Sequence, residues 1–154
     1  MKYKREFFFI GILVLIDQFS KLLVYNYLLN DNISIIPSLL EIKPVFNTTG
    51  PFLLSKMNVK LNNTVYIIVC AVLIYVFFVY YTKRYKKKNS NKMIFLFFVL
   101  VEAGVICAFL SDTLWMDGCL DFIYLKPFFT FDFKDFYMTC GGILLLLFYN
   151  KFKE

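Results

Sequence analysis

The sequence predicts an all-α membrane protein with four transmembrane helices and a small outward-facing β element between helices 1 and 2. Hydrophobic residues make up 60% of the 154 residues and charged residues only 18%, whereas soluble domains are roughly 45–50% apolar. The apolar residues fall into four long runs, and the basic residues gather at alternate ends of those runs. Together these observations indicate one integral-membrane domain, residues 1–154.

The apolar runs predict spans at about residues 7–29, 65–82, 93–114 and 135–150. A helix needs about 20 apolar residues to cross the hydrocarbon core, and the first three runs are long enough. The fourth is short, so we expect its helix to begin near Asp132. The chain starts like a signal peptide, with MKYKREFFFIGILVLI, but DQFSK follows where a small-residue cleavage site would stand, which predicts an uncleaved span.

The basic residues predict the orientation, because lysine and arginine in short loops stay on the cytoplasmic side of the membrane. Most of the 17 basic residues lie before the first span, in the loop 83–92 and after the fourth span. Both termini and this loop are therefore expected in the cytoplasm, with segments 30–64 and 115–134 outside. Anionic lipid headgroups account for the net charge of +6, so no nucleic-acid partner is predicted.

Residue types that are absent or scattered exclude several kinds of enzyme. There is no histidine, and the four cysteines contain no C-x-x-C pair. A histidine-ligated zinc protease and a Ser-His-Asp hydrolase are therefore excluded.

The two outward segments differ in character. Residues 30–64 are rich in β-branched residues and are interrupted by proline and glycine, which predicts short strands with turns. Residues 115–134 combine aromatic residues with aspartates, and an interfacial aromatic belt is the ordinary interpretation. Asp117 before Gly118 is an ordinary turn signal. Asp121 and Asp135 lie near membrane level in apolar surroundings, where an ionisable group predicts a functional site.

The first span carries a charged pair. Asp17 and Lys21 are four residues apart, so a helix places them on one face where an ion pair can form. Two interpretations stay open: a structural pair that orients the outer end of the span, or direct contact with substrate. A Ser20–Lys21 dyad is disfavoured because adjacent helical side chains point about 100° apart. Glu102 is a further intramembrane carboxylate, for which Lys21 is a candidate partner.

Four partial motifs, in order along nearly the whole chain, resemble those of the lipoprotein signal peptidases (signal peptidase II), four-span bacterial aspartic peptidases. DQFSK is similar to the family motif D-Q-x-[ST]-K, and NTTGPF is similar to N-x-G-x-x-F. GVICAFLSDT followed by LDFI is similar to G-x-x-x-x-N-x-x-D-R followed by V-D-F-[IL], and FDFKD is similar to F-N-x-A-D. The chain departs from the family pattern at Phe109, Thr113, Asp132 and Lys134, where the family has Asn, Arg, Asn and Ala. In NTTGPF, Thr49 holds the place of the family's glycine and Gly50 follows it.

The resemblance implies that Asp121 and Asp135 form a catalytic dyad. Two close carboxylates share a proton, so one can activate a water while the other donates to the scissile carbonyl. The resemblance implies that the residues at or next to the motif positions bind substrate or support the site: Asp17, Lys21, Asn47, Gly50, Phe52, Gly104, Asp112 and Phe122. This implied chemistry requires neither a metal nor an organic cofactor.

The implied substrate is a prolipoprotein whose cysteine carries diacylglycerol, cleaved just before that cysteine. The implied setting is the bacterial inner membrane, with the site at the outer face, membrane lipids as neighbours and a monomeric chain. The main alternative is a divergent homologue that binds lipopeptides or lipoproteins without cleaving them, because Phe109 and Thr113 lack the polar groups of the motif. A small transporter or assembly subunit is less favoured, since no discontinuous helix is indicated.

Overall fold

The computed structural model describes residues 3–48, 62–87, 92–115 and 118–148. In chain order these form α1 (Lys4–Tyr27), β1 (Ile33–Ile36), β2 (Leu40–Asn47), α2 (Asn63–Lys87), α3 (Lys92–Leu114), β3 (Cys119–Leu125), β4 (Phe129–Phe131) and α4 (Phe133–Leu147). Gly50, Phe52, Asp117 and residues 88–91 of the basic loop 83–92 lie outside the described residues.

Three of the predicted spans correspond to helices that have the length and composition needed to cross a membrane. Apolar helices that can cross a membrane occupy Lys4–Tyr27, Thr64–Lys83 and Lys92–Leu114. Large apolar side chains point outward from the helices; Leu15, for example, is 69% exposed and Leu146 is 79% exposed. Such surfaces are suited to lipid rather than to water.

The fourth predicted span, 135–150, corresponds to a helix that does not reach spanning length within the described residues. The 15 residues of α4 extend for about 22 Å, whereas the hydrocarbon core is about 30 Å thick. The expected start is correct, because Asp132 is the residue that caps α4. Within its described residues, the chain is therefore mostly helical and has three helices of spanning length.

The β element is larger than the sequence predicts, and it is not confined to the connection between the first two helices. One antiparallel sheet contains all four strands in the order β1-β2-β3-β4. Strands β1 and β2 come from the segment predicted to form strands, whereas β3 and β4 come from the predicted aromatic belt. The first four residues of β3 are all buried, so polar and apolar residues do not alternate there, and periodicity alone does not identify such a run.

Helix α3 forms the centre of the molecule and packs against α1, α2 and α4. Two glycines allow α3 and α4 to approach closely. A Cβ on Gly104 would lie 2.7 Å from Met138 Cγ, and a Cβ on Gly141 would lie 2.6 Å from Val101 Cγ2. Small residues at helix contacts have this effect in membrane proteins. A second apolar cluster, built around Val24, Leu120 and Phe122, joins the end of α1 to the sheet.

Two buried carboxylates lie within the helices away from the sheet-proximal aspartates. Glu6 accepts a hydrogen bond of 2.7 Å from the Tyr81 hydroxyl group. Glu102 is 4% exposed, and its Oε2 has no hydrogen-bond partner within the described part of the chain. The candidate pairing of Glu102 with Lys21 is not observed, because Lys21 contacts two aspartates at the sheet end of the helices.

Candidate active site

Asp121 and Asp135, the two predicted catalytic residues, come together where the sheet meets α4. Asp121 lies on β3 opposite Val45 of β2, and the β3–β4 hairpin returns the chain to the start of α4. Lys134 Nζ lies 3.3 Å from Asp121 Oδ1 and 3.5 Å from Asp135 Oδ2. The two carboxylates therefore face the same ammonium group from two different elements.

The position of Asp135 is determined by a reciprocal cap at the start of α4. Asp132 Oδ1 accepts a hydrogen bond from the Asp135 amide at 3.2 Å, and Asp135 Oδ2 accepts one from the Asp132 amide at 3.4 Å. Such a capping box satisfies amide donors that the first helical turn leaves unpaired. The carboxylate of Asp135 is 48% exposed, so it is accessible while its backbone is held.

Asp132 is the most heavily paired carboxylate of the site. Its side chain is completely buried, and Oδ2 lies 2.7 Å from Lys21 Nζ and 2.6 Å from Lys134 Nζ. Burial acts to raise the pKa of Asp132, but Lys134 and Lys21 outweigh burial and lower the pKa below its usual value. Asp132 is thus a stable anion that joins α1 to the start of α4.

Asp17 and Lys21 form the predicted ion pair, with 2.9 Å between Lys21 Nζ and Asp17 Oδ2. Both side chains are fully buried. Lys21 Nζ also donates to Ser111 Oγ at 2.7 Å, and Asp17 Oδ1 accepts from the Lys134 amide at 3.2 Å. The pair consequently ties α1 to α3 and α4, and this geometry favours the structural interpretation over contact with substrate.

The other predicted site residues have distinct positions. Asn47 donates from Nδ2 to Asp121 Oδ2 at 3.2 Å, which connects β2 directly to the predicted dyad. Asp112 lines the cavity described below. Phe122 is buried and meets the Phe133 ring edge to face at 5.8 Å. Gly104 provides the close helix contact and also lines the cavity.

Phe109 and Thr113, which replace the Asn and Arg of the family motif, contribute no polar group to the predicted dyad. Thr113 Oγ1 donates to the backbone oxygens of Phe109 and Leu110 at 3.0 and 3.1 Å, so its hydroxyl group is satisfied within its own helix. Phe109 packs against the apolar core. The polar groups around Asp121 come instead from Asn47, Cys119 and Lys134.

A cavity of about 620 Å³ opens at the predicted dyad, and both Asp121 and Asp135 line it together with Lys134. One wall is a single face of α2, formed by Tyr66, Val69, Cys70 and Leu73, because residues three and four apart share a helical face. The opposite walls come from α3, from α4 and from β4, the last strand of the sheet. The site is therefore a largely apolar cleft with charges at one place.

The electrostatics of the strand residues follow from burial. Burial raises the pKa of Asp121 above its usual value, although Lys134 opposes the rise. Asp121 is therefore suited to holding a proton. Burial also raises the pKa of the Cys119 thiol to about 12, so Cys119 is a neutral thiol rather than a thiolate nucleophile. Its sulfur lies 3.6 Å from both Asp121 Oδ1 and Asp132 Oδ2, and its single S–H group donates to one of them at a time.

One group of described residues has the composition of a metal site. The ligand atoms of Cys119, Asp121 and Asp132 lie within 4.8 Å of one another. A divalent cation there would meet the ammonium groups of Lys21 and Lys134, which already contact Asp132 at 2.7 and 2.6 Å. Like charges at this distance repel strongly, so these residues fit the two lysines better than a metal.

Sequence reasoning missed three contributors to the site, Lys134, Asp132 and Ser111. Lys134 and Asp132 depart from the motif in which they stand, and Ser111 occupies a variable position of its motif. Nothing local in the sequence indicates that Lys134 meets Asp121, since their contact depends on the β3–β4 hairpin. Asp132 carried a usable signal, because an aspartate three residues before another acidic residue is a helix-start pattern.

The comparisons with known proteins identify the class of protein. The family model "Signal peptidase (SPase) II" matches residues 9–151, and the chain therefore belongs to the signal peptidase II family of proteases. Lipoprotein signal peptidases from Borrelia turicatae and Borrelia duttonii are each 30% identical to it. These alignments cover 97% and 91% of this chain, and 91% and 86% of the relatives.

Two solved structures share the fold. Both are described as bacterial membrane enzyme structures by the in meso method, at 2.3 and 1.9 Å resolution. The first has a TM-score of 0.77 and 20% identity over 96% of this chain and 88% of the other. The second has a TM-score of 0.73 and 19% identity over 93% of this chain and 90% of the other. The family model and the Borrelia relatives confirm the predicted lipoprotein signal peptidase family, and they do not favour the non-cleaving alternative.

Proposed function

We propose that this signal peptidase II family member is an aspartic endopeptidase whose catalytic dyad is Asp121 and Asp135. The observation that carries the proposal is their convergence: a strand carboxylate and a helix carboxylate lie within 3.5 Å of one ammonium group at the wall of an apolar cavity. Charged groups near a membrane are costly and are retained for function.

The chemistry follows from the unequal surroundings of the two carboxylates. Asp121 is buried, which favours its protonated form, whereas Asp135 is half exposed and reaches the cavity. With one proton between them, the ionised carboxylate removes a proton from water, and the water oxygen attacks the scissile carbonyl. The protonated carboxylate donates to the carbonyl oxygen. As the tetrahedral intermediate collapses, the C–N bond breaks and the new amino terminus takes up a proton from one carboxyl group. A hydroxyl group of the intermediate returns a proton to the other carboxylate, so the dyad again holds one proton.

The substrate is a prolipoprotein with a diacylglyceryl cysteine. The apolar face of α2 and the aromatic residues Phe129 and Phe131 of β4 offer surfaces for lipid chains and for an apolar signal peptide. The polar end of the cavity would hold the peptide bond before the cysteine. Asn47, through its bond to Asp121, orients the carboxylate toward that bond.

The membrane arrangement is part of the proposal. In it, α4 is the fourth span, both termini are cytoplasmic, and the sheet and dyad lie at the outer face of the inner membrane. The basic residues at the ends of the chain and in the loop 83–92 support this orientation. A monomer is sufficient for this activity, because both carboxylates and the cavity lining come from one chain.

The test is cleavage of a diacylated lipobox peptide by the detergent-purified protein. Asp121→Asn and Asp135→Asn should each lower the rate by at least about 10²–10⁴-fold, the typical contribution of a general acid or base, because an amide cannot exchange the shared proton. Asp31→Asn is a matched control, since Asp31 is exposed and follows α1, away from the cavity lining. A wild type that binds the peptide but never cleaves it would refute the proposal.

A further inference from the structure

Lys134 is a cation that two-carboxylate chemistry does not itself require. Its Nζ lies 2.6 Å from Asp132 Oδ2, 3.3 Å from Asp121 Oδ1 and 3.5 Å from Asp135 Oδ2. Its side chain is only 13% exposed. A lysine so enclosed loses side-chain freedom. Its ammonium group places a positive charge directly beside the carboxylates of Asp121 and Asp135.

Asp132 holds the ammonium group of Lys134 in place. The shortest contact of Lys134 is with this fully buried carboxylate, which the helix cap and Lys21 also restrain. The Lys134 amide donates to Asp17 Oδ1 at 3.2 Å, so its backbone is restrained as well. Both ends of the side chain are thereby fixed relative to the dyad.

We propose that Lys134 is a positioning residue for the dyad: its fixed ammonium group is the counter-ion of Asp121 and Asp135 and sets the pH range in which they share a proton. This inference rests on the proposed function of these two aspartates. An opposite charge within about 4–6 Å lowers a carboxyl pKa by about 1–3 units. Lys134 therefore offsets burial, which by itself would keep Asp121 protonated.

Several other titratable or charged groups face this cluster and enter the pH dependence. Asp132 carries a negative charge that acts on the dyad in the opposite direction to Lys134. The remaining groups act from α1, α2, α3 and β3: Asp17, Lys21, Tyr66, Asp112 and Cys119. Removing Lys134 alone therefore leaves an uncompensated anion beside the dyad, whereas removing Lys134 together with Asp132 leaves the local net charge unchanged.

The experiment compares Lys134→Met with the charge-neutral double variant Asp132→Asn/Lys134→Met. For each protein, the rate of cleavage of a diacylated lipobox peptide is measured against pH, and the protonation of carboxyl groups is followed by infrared titration. Lys134→Met should move both limbs of the pH profile upward by about 1–3 units. The double variant should move them by less than half as much, because loss of the Asp132 charge opposes loss of the Lys134 charge.

Lys126→Met is the matched control. Lys126 pairs with Glu41 on the sheet, away from the cavity lining, so its removal should shift neither limb. The inference is wrong if Lys134→Met leaves both the pH profile and the infrared titration unchanged, or if the single and double variants shift equally. If Lys134→Met fails to fold, the double variant decides, because a shift as large as 1–3 units there contradicts charge compensation.

The two readouts separate this inference from the proposed function. If the wild type cleaves no lipobox peptide, the catalytic assignment of the dyad fails, while the infrared titration still reports whether Lys134 controls the protonation of Asp121 and Asp135. Assignment of the infrared signal uses Asp121→Asn and Asp135→Asn. If the wild type cleaves and Lys134→Met has an unchanged titration, the function stands and the role of Lys134 is refuted.

Discussion

Replacement of Lys21 by methionine is expected to destabilise the protein more than any single change at the surface of the sheet. Lys21 Nζ contacts Asp17 at 2.9 Å, Asp132 at 2.7 Å and Ser111 at 2.7 Å, all in fully or almost fully buried surroundings. Each ion pair contributes roughly 6 kcal/mol of attraction at an effective dielectric constant near 20, much of it offset by desolvation. Breaking a buried pair from one side costs about 3–5 kcal/mol.

The second variant of the cycle is Asp17→Asn/Lys21→Met. It removes the anion that Lys21→Met leaves unpaired, while Asp132 keeps its contact with Lys134. The double variant should therefore recover about 1–3 kcal/mol of the free energy of unfolding relative to Lys21→Met, the usual size of coupling between contacting residues. Lys126→Met is the control and should cost less than about 1 kcal/mol, because its ion pair is partly exposed.

The assay is denaturant unfolding of detergent-purified protein followed by tryptophan fluorescence. The chain contains a single tryptophan, and Trp115 Nε1 donates to Gln18 Oε1 at 3.3 Å, beside the charged pair. The fluorescence therefore reports the end of α1 at which Lys21 acts. Additive losses in the double variant would refute a structural pair and would indicate independent roles for Asp17 and Lys21, including contact with substrate.

Two further predictions concern pH and topology. Burial raises the pKa of Asp121 in the folded state. The protonated carboxyl group therefore contributes to the free energy of unfolding at pH values below its ordinary pKa of 3.8, and this contribution is lost as pH rises through the higher pKa of the folded state. Asp121→Asn should therefore be at least as stable as the wild type at neutral pH, as measured by thermal unfolding, and the difference in stability between the two proteins should disappear below pH 3.8. A large loss of stability of Asp121→Asn at neutral pH would contradict this expectation. For topology, a cysteine introduced at Ser90 should react with an impermeant thiol reagent only after the membrane is opened, and labelling of intact cells would reverse the proposed orientation.

The features predicted correctly from the sequence depend on local geometry. Asp17 and Lys21 are one helical turn apart, so helix periodicity alone brings them together. The start of α4 at Asp132 follows from capping chemistry, and β1 and β2 follow from β-branched residues between turn signals. The membrane class follows from composition and from three long apolar runs. None of these inferences requires knowledge of which distant segments meet.

Tertiary structure decided the features that depend on contacts between distant parts of the chain. The pairing of β2 with β3 makes one sheet from two segments and places Asn47 beside Asp121. Packing of α1 against the start of α4 sends Lys21 to Asp132 rather than to Glu102. The β3–β4 hairpin then brings Lys134 between the two predicted catalytic aspartates. Because an ion pair forms wherever packing places opposite charges, the identity of a charged residue alone does not specify its partner.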